Sequence, residues 1–150
     1  MTDRGDLSTD AALPLLLDTH VLIWLVFGEL MLGPHAKKAI QEAAFGGRAL
    51  VSAITPWEIG VLVSKGRIDL RRDTLEWIRS ALELPGFRFA EMSPEISIAS
   101  TRLPWEMHAD PADRILVATA RHLGAVLVTA DQKLLADAGK KHFHAMNARV

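Results

Sequence analysis

LLLDTHVLIW (residues 15–24) holds three consecutive leucines, one aspartate and a second apolar run. Three leucines in a row do not alternate with polar residues, so they read as a strand buried on both faces, the pattern of a parallel sheet covered by helices. Leu15–Asp18 is thus predicted as a short buried strand. Thr19–Phe27, of helix length and stopped by Gly28, is the helix that follows. VLVTADQKL (126–134) repeats the unit, with a strand over Ala125–Thr129 and a helix over Asp131–Ala138. In an open α/β sheet the carboxyl ends of the strands face one crevice, where ligands bind. Asp18 and Asp131 are therefore expected at that crevice.

The intervening chain continues the alternation. Gly33-Pro34 opens a helix over Pro34–Ala44, closed by Gly46-Gly47, and Ala49–Ser52 is a second strand. Ile54–Lys65 reads as a helix with Ile54, Trp57 and Val61 on one face and Gly66 as its stop. Asp73–Leu82 is a helix opened by the pair Asp73 and Glu76, spaced as a capping box. Phe87–Met92 is a third strand, Pro94–Arg102 a short helix, Pro111–Leu123 a longer helix stopped by Gly124, and Phe143–Met146 a last short strand. Strands alternating with helices predict an α/β fold with a central parallel sheet of four to five strands flanked by helices. Residues 1–12 are polar and aperiodic and read as a flexible N-terminal tail, leaving 13–150 as one domain.

Composition excludes several functions. There is no cysteine, so disulfides and thiolate metal sites are out, and a reducing cytoplasm is the expected location. The longest apolar runs, LPLLL (13–17) and VLIWLVF (21–27), are too short to span a bilayer, so no membrane partner is expected. A net charge of −1 announces no nucleic acid. Lys65, Arg67, Arg71, Arg72, Arg79, Arg102, Arg114 and Arg121 read first as solvated helix faces and, in the alternative, as a basic rim. His142-x-His144 lacks metal-ligand spacing and reads as surface.

The acids are more specific. Besides Asp18 and Asp131, Glu58 lies in SAITPWEIG (52–60) and Asp113 in HADPADRILVATA (108–120). Each has a structural alternative. Asp18 and Asp131 stand where helix N-caps belong, and Asp110 before Pro111 is an N-cap that leaves Asp113 as the acidic third residue. Glu58 is read into the first turn of its helix, where the helix dipole offers only about 0.3–1 kcal/mol. Carboxylates gathered in one crevice repel, and need protons or a divalent cation to coexist. Magnesium takes oxygen ligands, and a pair of such ions can activate water against a phosphodiester. No cysteine nucleophile and no Ser–His pairing stands beside them. Hydrolysis by water is therefore expected, without a covalent enzyme intermediate, leaving 5′-phosphate and 3′-hydroxyl ends.

LLLDTHVLIW, SAITPWEIG, LPWEMHADPADRILVATA and VLVTADQKL, in that order, resemble the four motifs of PIN-domain ribonucleases, and more narrowly VapC-type toxins of toxin–antitoxin pairs. The resemblance covers roughly residues 14–147, and the third motif is its most specific part. It implies a PIN-like sandwich and a Mg²⁺- or Mn²⁺-dependent endoribonuclease acting on RNA, held inactive by a cognate antitoxin protein. Carried over by position, the catalytic acids are Asp18, Glu58, Asp113 and Asp131, with Asp18 and Asp113 as metal ligands. Asp110 is an accessory acid, and Thr19, Ser52 and Thr129 are accessory hydroxyls. A homodimer is implied as well, supported by an apolar surplus in Trp24, Trp57, Trp77, Trp105, Val26 and Phe27.

Two other classes compete. A phosphatase of the haloacid-dehalogenase type also starts from strand–Asp–x–x, but needs a second aspartate where this chain has His20. A catalytically silent PIN scaffold binding RNA or protein is the alternative function, and the presence of all four acids weighs against it.

Overall fold

The computed structural model describes residues 13–150, and the tail expected over 1–12 lies outside the described residues. The strands are β1 (Leu15–Leu17), β2 (Ala49–Ser52), β3 (Phe87–Ala90), β4 (Val126–Thr129) and β5 (His144–Asn147). The helices are α1 (Thr19–Phe27), α2 (Pro34–Phe45), α3 (Ile54–Ser64), α4 (Thr74–Leu82), α5 (Pro94–Thr101), α6 (Pro111–Leu123) and α7 (Gln132–Gly139). All strand pairs are parallel, in the order β3-β2-β1-β4-β5. The sheet has the five strands expected at the upper bound, and helices on both faces.

β1 holds the middle. Leu15, Leu16 and Leu17 face Ala49, Leu50 and Val51 on one edge and Val126, Leu127 and Val128 on the other. Successive side chains point to opposite faces. Leu15 and Leu17 join Val51 and Val128 in the core under α1, α2 and α4. Leu16 joins Leu127 in the opposite core, with Leu116, Val117 and Ala120 of α6 and Leu134 of α7. An unbroken leucine run thus serves two cores at once.

The chain runs outward from β1 to β2 and β3, then returns to add β4 on the other edge of β1. The direction of winding reverses between β1 and β4, and this switch point is where an open parallel sheet leaves its crevice. Asp18 follows β1 directly, and Asp131 stands just past the end of β4.

Several boundaries shift. β3 ends at Ala90 rather than Met92, and Asp73 and Asp131 lie outside their helices as N-caps. Trp57 was expected on a packed face of α3 but is 61% exposed, and that helix buries Thr55 and Ile59 instead. The apolar surplus likewise divides: Trp24 and Trp77 are core, Trp105 is half-buried, and Val26 and Phe27 are exposed, next to the exposed Leu30 and Met31. Arg114 is neither solvated face nor rim. Its Nε donates to the Ser100 carbonyl at 2.8 Å and a terminal nitrogen to the Met107 carbonyl at 3.0 Å, tying the loop after α5 to α6.

Gly86 makes β3 possible. Its φ is +82°, and a Cβ there would sit 1.6 Å from the Ala44 carbonyl oxygen at the end of α2. Both the left-handed backbone and the close approach require glycine. Gly86→Ala should cost at least ~2 kcal/mol of stability. Urea unfolding checks this, and an unchanged midpoint would refute the packing described.

Candidate active site

The crevice is built from the ends of β1 and β4 and the starts of α1, α3, α6 and α7. Asp18 caps α1: one carboxylate oxygen accepts from the Thr19 backbone N–H at 2.7 Å, the other from the Thr129 hydroxyl at 2.6 Å. Both oxygens are thus held, and Asp18 is fixed between the two central strands. Thr129 also accepts from the Asp131 backbone N–H at 3.1 Å, so one buried hydroxyl orients both acids.

Thr19 plays the matching part toward α3. Its hydroxyl donates to Glu58 Oε1 at 2.5 Å and lies 3.2 Å from the Thr55 hydroxyl. A hydroxyl has one proton to give. With Glu58 ionised, Thr19 spends its proton on the carboxylate, and Thr55 must donate to Thr19. Glu58 is the fifth residue of α3 and belongs to the second turn, not the first. The dipole account considered for it falls away, and the hydroxyl relay takes its place. Thr55 was not among the expected site residues. Its signal was the three-residue spacing from Glu58, which puts both on one helix face.

The other acids hold their places through caps. Asp110 accepts from the Asp113 N–H at 3.2 Å as the N-cap of α6, while the Asp113 side chain meets His108 Nε2 at 2.8 Å. Asp131 caps α7 by accepting from Lys133 and Leu134. For Asp110 and Asp131, capping and a place in the crevice are both true. Ser52 is different. It is buried, and its hydroxyl accepts from the Ile54 N–H at 3.1 Å, helping to start α3 rather than touching an acid.

Electrostatics show that the acids share one space. Burial raises Asp18 above the usual carboxylate value, and the charge of Asp131 adds to this against the lowering bonds from Thr129 and Thr19. Glu58 is pushed from 4.5 to about 7, first by burial, then by Asp18, Asp113 and Asp110. Asp113 is pushed from 3.8 to about 6 by burial and by Asp110, Asp18 and Asp131, while His108 pulls it down. Near neutrality the cluster therefore keeps protons that isolated carboxylates would lose.

That donor set suits a hard divalent cation. All the ligands are carboxylate oxygens, and a cation would relieve the repulsion that now favours protons. Among the described residues no three acidic or histidine side chains close around a point as a bare-ion cage. Magnesium does not ask for one, since it keeps several waters beside one or two carboxylates.

The family model described as PIN domain matches residues 15–141. Ribonuclease VapC22 of Mycobacterium tuberculosis is 34% identical over 119 residues, covering 79% of this chain and 88% of that protein. A toxin–antitoxin complex from Klebsiella pneumoniae superposes with a TM-score of 0.59 at 26% identity, over 89% of this chain and 96% of the other. VapBC2 from Rickettsia felis, bound to a promoter DNA fragment, superposes with a TM-score of 0.66 at 15% identity, over 90% and 98% of the two chains. At that identity the likeness is one of fold alone.

The raised acids make stability depend on pH with a definite sign. A carboxyl held above its ordinary value binds protons better folded than unfolded, so its contribution to stability is fully present below 4 or so and is lost as pH rises through 6 to 7. In EDTA the thermal midpoint should fall between about pH 5 and about pH 8. Glu58→Gln, which keeps an acceptor for Thr19, should flatten that slope and raise the midpoint at the higher pH. A midpoint that climbs over this range in EDTA would contradict the crowding of the acids.

Proposed function

This chain belongs to the PIN-domain family and, within it, to the VapC ribonucleases, and from that premise we propose a toxin that hydrolyses RNA with Mg²⁺ or Mn²⁺ and is neutralised by a cognate antitoxin protein. The observation that carries the reading is the pair Asp18 and Glu58, held by Thr19 and Thr129 at the β1/β4 switch point. A silent scaffold has no use for three carboxyls kept above their ordinary values by burial and by one another's charge.

Asp18 and Asp113 would hold the cation, with Glu58 and Asp131 beside them. When bound, the ion supplies charge neutralisation for a phosphodiester and a more acidic water. The chain's own residues do the rest. Thr129 and the Thr19 N–H keep Asp18 from rotating. Thr19, backed by Thr55, fixes one Glu58 oxygen and leaves the other without a hydrogen-bond partner among the described residues, free to take a proton from water. The Asp113–His108 contact and the caps by Asp110 and Asp131 hold the α6 and α7 starts in register. RNA phosphates would be repelled by bare acids, and a cation held by Asp18 and Asp113 would offset that repulsion.

The same negative crevice invites a cationic plug, such as an antitoxin arginine paired bidentately with a carboxylate. The exposed apolar stretch Val26, Phe27, Leu30 and Met31 supports protein partners, including a second copy of the chain. No described helix is long and apolar enough to cross a membrane, and we place the toxin in the cytoplasm.

Asp18→Asn should abolish cleavage of single-stranded RNA while the far-UV circular dichroism stays native, and the wild-type products should carry 5′-phosphate and 3′-hydroxyl ends. Full activity in that variant, or cleavage persisting in excess EDTA, would overturn the assignment. Antitoxin-peptide affinity should weaken as Mn²⁺ rises at fixed ionic strength. Affinity indifferent to the metal would replace plugging by occlusion of the RNA groove. Sedimentation of the free chain is expected at dimer mass, and a monomer would remove the homodimer.

A further inference from the structure

Away from the acids, a cavity of about 630 Å³ opens at the other end of the sheet. It lies where β4 and β5 begin, and Arg121, Lys141, His142 and His144 line it with Ala120, Gly124 and Phe143. No carboxylate is among its lining residues. Asp137, next in sequence to the lining residue Ala138, is engaged by Trp105 Nε1 at 3.3 Å.

Arg121 is prepared for an anion. Its guanidinium lies 5.0 Å from the centre of the Trp105 ring, and one terminal nitrogen donates to the His142 carbonyl at 3.1 Å. His142 stacks on Trp105 with centroids 4.3 Å apart and planes 2° from parallel, so it is not the free surface histidine its spacing suggested. The arginine is held in place while most of its five donors remain free, and among the described residues it has no carboxylate partner. The helix dipole favours a cation in the last turn of α6 and so accounts for Arg121 in part. Lys141 follows Lys140, the C-cap of α7, where that helix end likewise favours a cation, whereas His144 opens β5. Lys141 also adopts a left-handed backbone, φ +69°, a conformation that disfavours lysine and that glycine would take freely.

The cavity and the acids are joined by chain. α6 runs from Asp113 to Arg121, about 12 Å at the helical rise. The loop before it carries Trp105, stacked on the cavity residue His142, and His108 against Asp113. The loop and α6 are the elements along which a single strand would pass from the crevice to the basic cavity.

We propose that this cavity is a second RNA contact, which binds a backbone phosphate of the substrate strand beyond the cleavage site. The proposal rests on the ribonuclease reading above. Its phosphate is read by Arg121 and Lys141, so it adds affinity without sequence preference. It is a positioning contact, distant from the reacting atoms.

The test compares cleavage of a long single-stranded RNA with that of a trinucleotide too short to reach the cavity, in wild type, Arg121→Gln and Lys141→Gly. For the long RNA, KM should rise roughly tenfold in each variant with kcat unchanged, and the salt slope of binding should fall by about one. The trinucleotide should be cut as before. Lys141→Gly should also raise the thermal midpoint, so weaker binding there cannot be a folding defect. Equal KM for all three proteins on the long RNA overturns the proposal. So does an equal loss on both RNAs, which would place the effect at the acids. Adenosine monophosphate bound in the cavity with the long-RNA KM unmoved by either variant would make it a free-nucleotide site and also overturn it. A wild-type chain that cuts neither RNA would instead fail the ribonuclease reading.

Discussion

Leu15–Leu17 is hydrogen-bonded along both edges and buried on both faces. Its neighbours on each side are the two half-sheets, and its side chains enter two separate cores. β4 also feeds both cores, but β1 is the central strand of the five and is only three residues long. A strand so short cannot absorb a change of register, because a slip by one residue would exchange the faces and empty both cores. The residue after it inherits that fixity. Asp18 is immobile because Leu17 is, and Thr129 reaches it because β4 is locked to the same three leucines.

The acids illustrate how a fold holds groups that repel. Burial and mutual charge raise Asp18, Glu58 and Asp113 together. The protein offsets this locally, with hydroxyls at Asp18 and Glu58 and with His108 at Asp113. Thr19 and Thr129 each donate to an acid, and the caps of α6 and α7 satisfy Asp110 and Asp131. A lysine or arginine in their place would stabilise the empty site more, but would compete with a cation for it. Neutral donors orient the carboxylates and leave their charge available.

Much of this was legible in the sequence because it rests on periodicity and strand ends. The leucine run, its echo in Val126–Thr129 and the glycine stops predict the sheet and place Asp18 and Asp131 at one crevice. Side-chain direction was harder to read. Trp57 seemed a core residue by spacing, yet Thr55 and Ile59 are the buried ones, because α3 turns its polar Thr55 and Glu58 toward Thr19. Arg114 looked like a surface charge until the carbonyls it serves, those of Ser100 and Met107, were in view. Ser52 has the position of a site hydroxyl but bonds its own helix start. Individual side-chain and backbone contacts decide such cases, and hydrophobic periodicity does not encode them.

The bond from Thr129 to Asp18 closes a separation of 111 residues, and that from Thr19 to Glu58 one of 39. Ordering a long loop must be paid before its contacts give anything back, which makes non-local parallel pairing slow. Asp18 is synthesised 111 residues before Thr129, and its partner hydroxyl arrives only with β4. During translation the front of the chain can collapse on β1 and β2 while the crevice still lacks one wall. A harmful hydrolase built this way is inert as a nascent chain and becomes competent in a late step of folding, which leaves time for whatever restrains it to be present first.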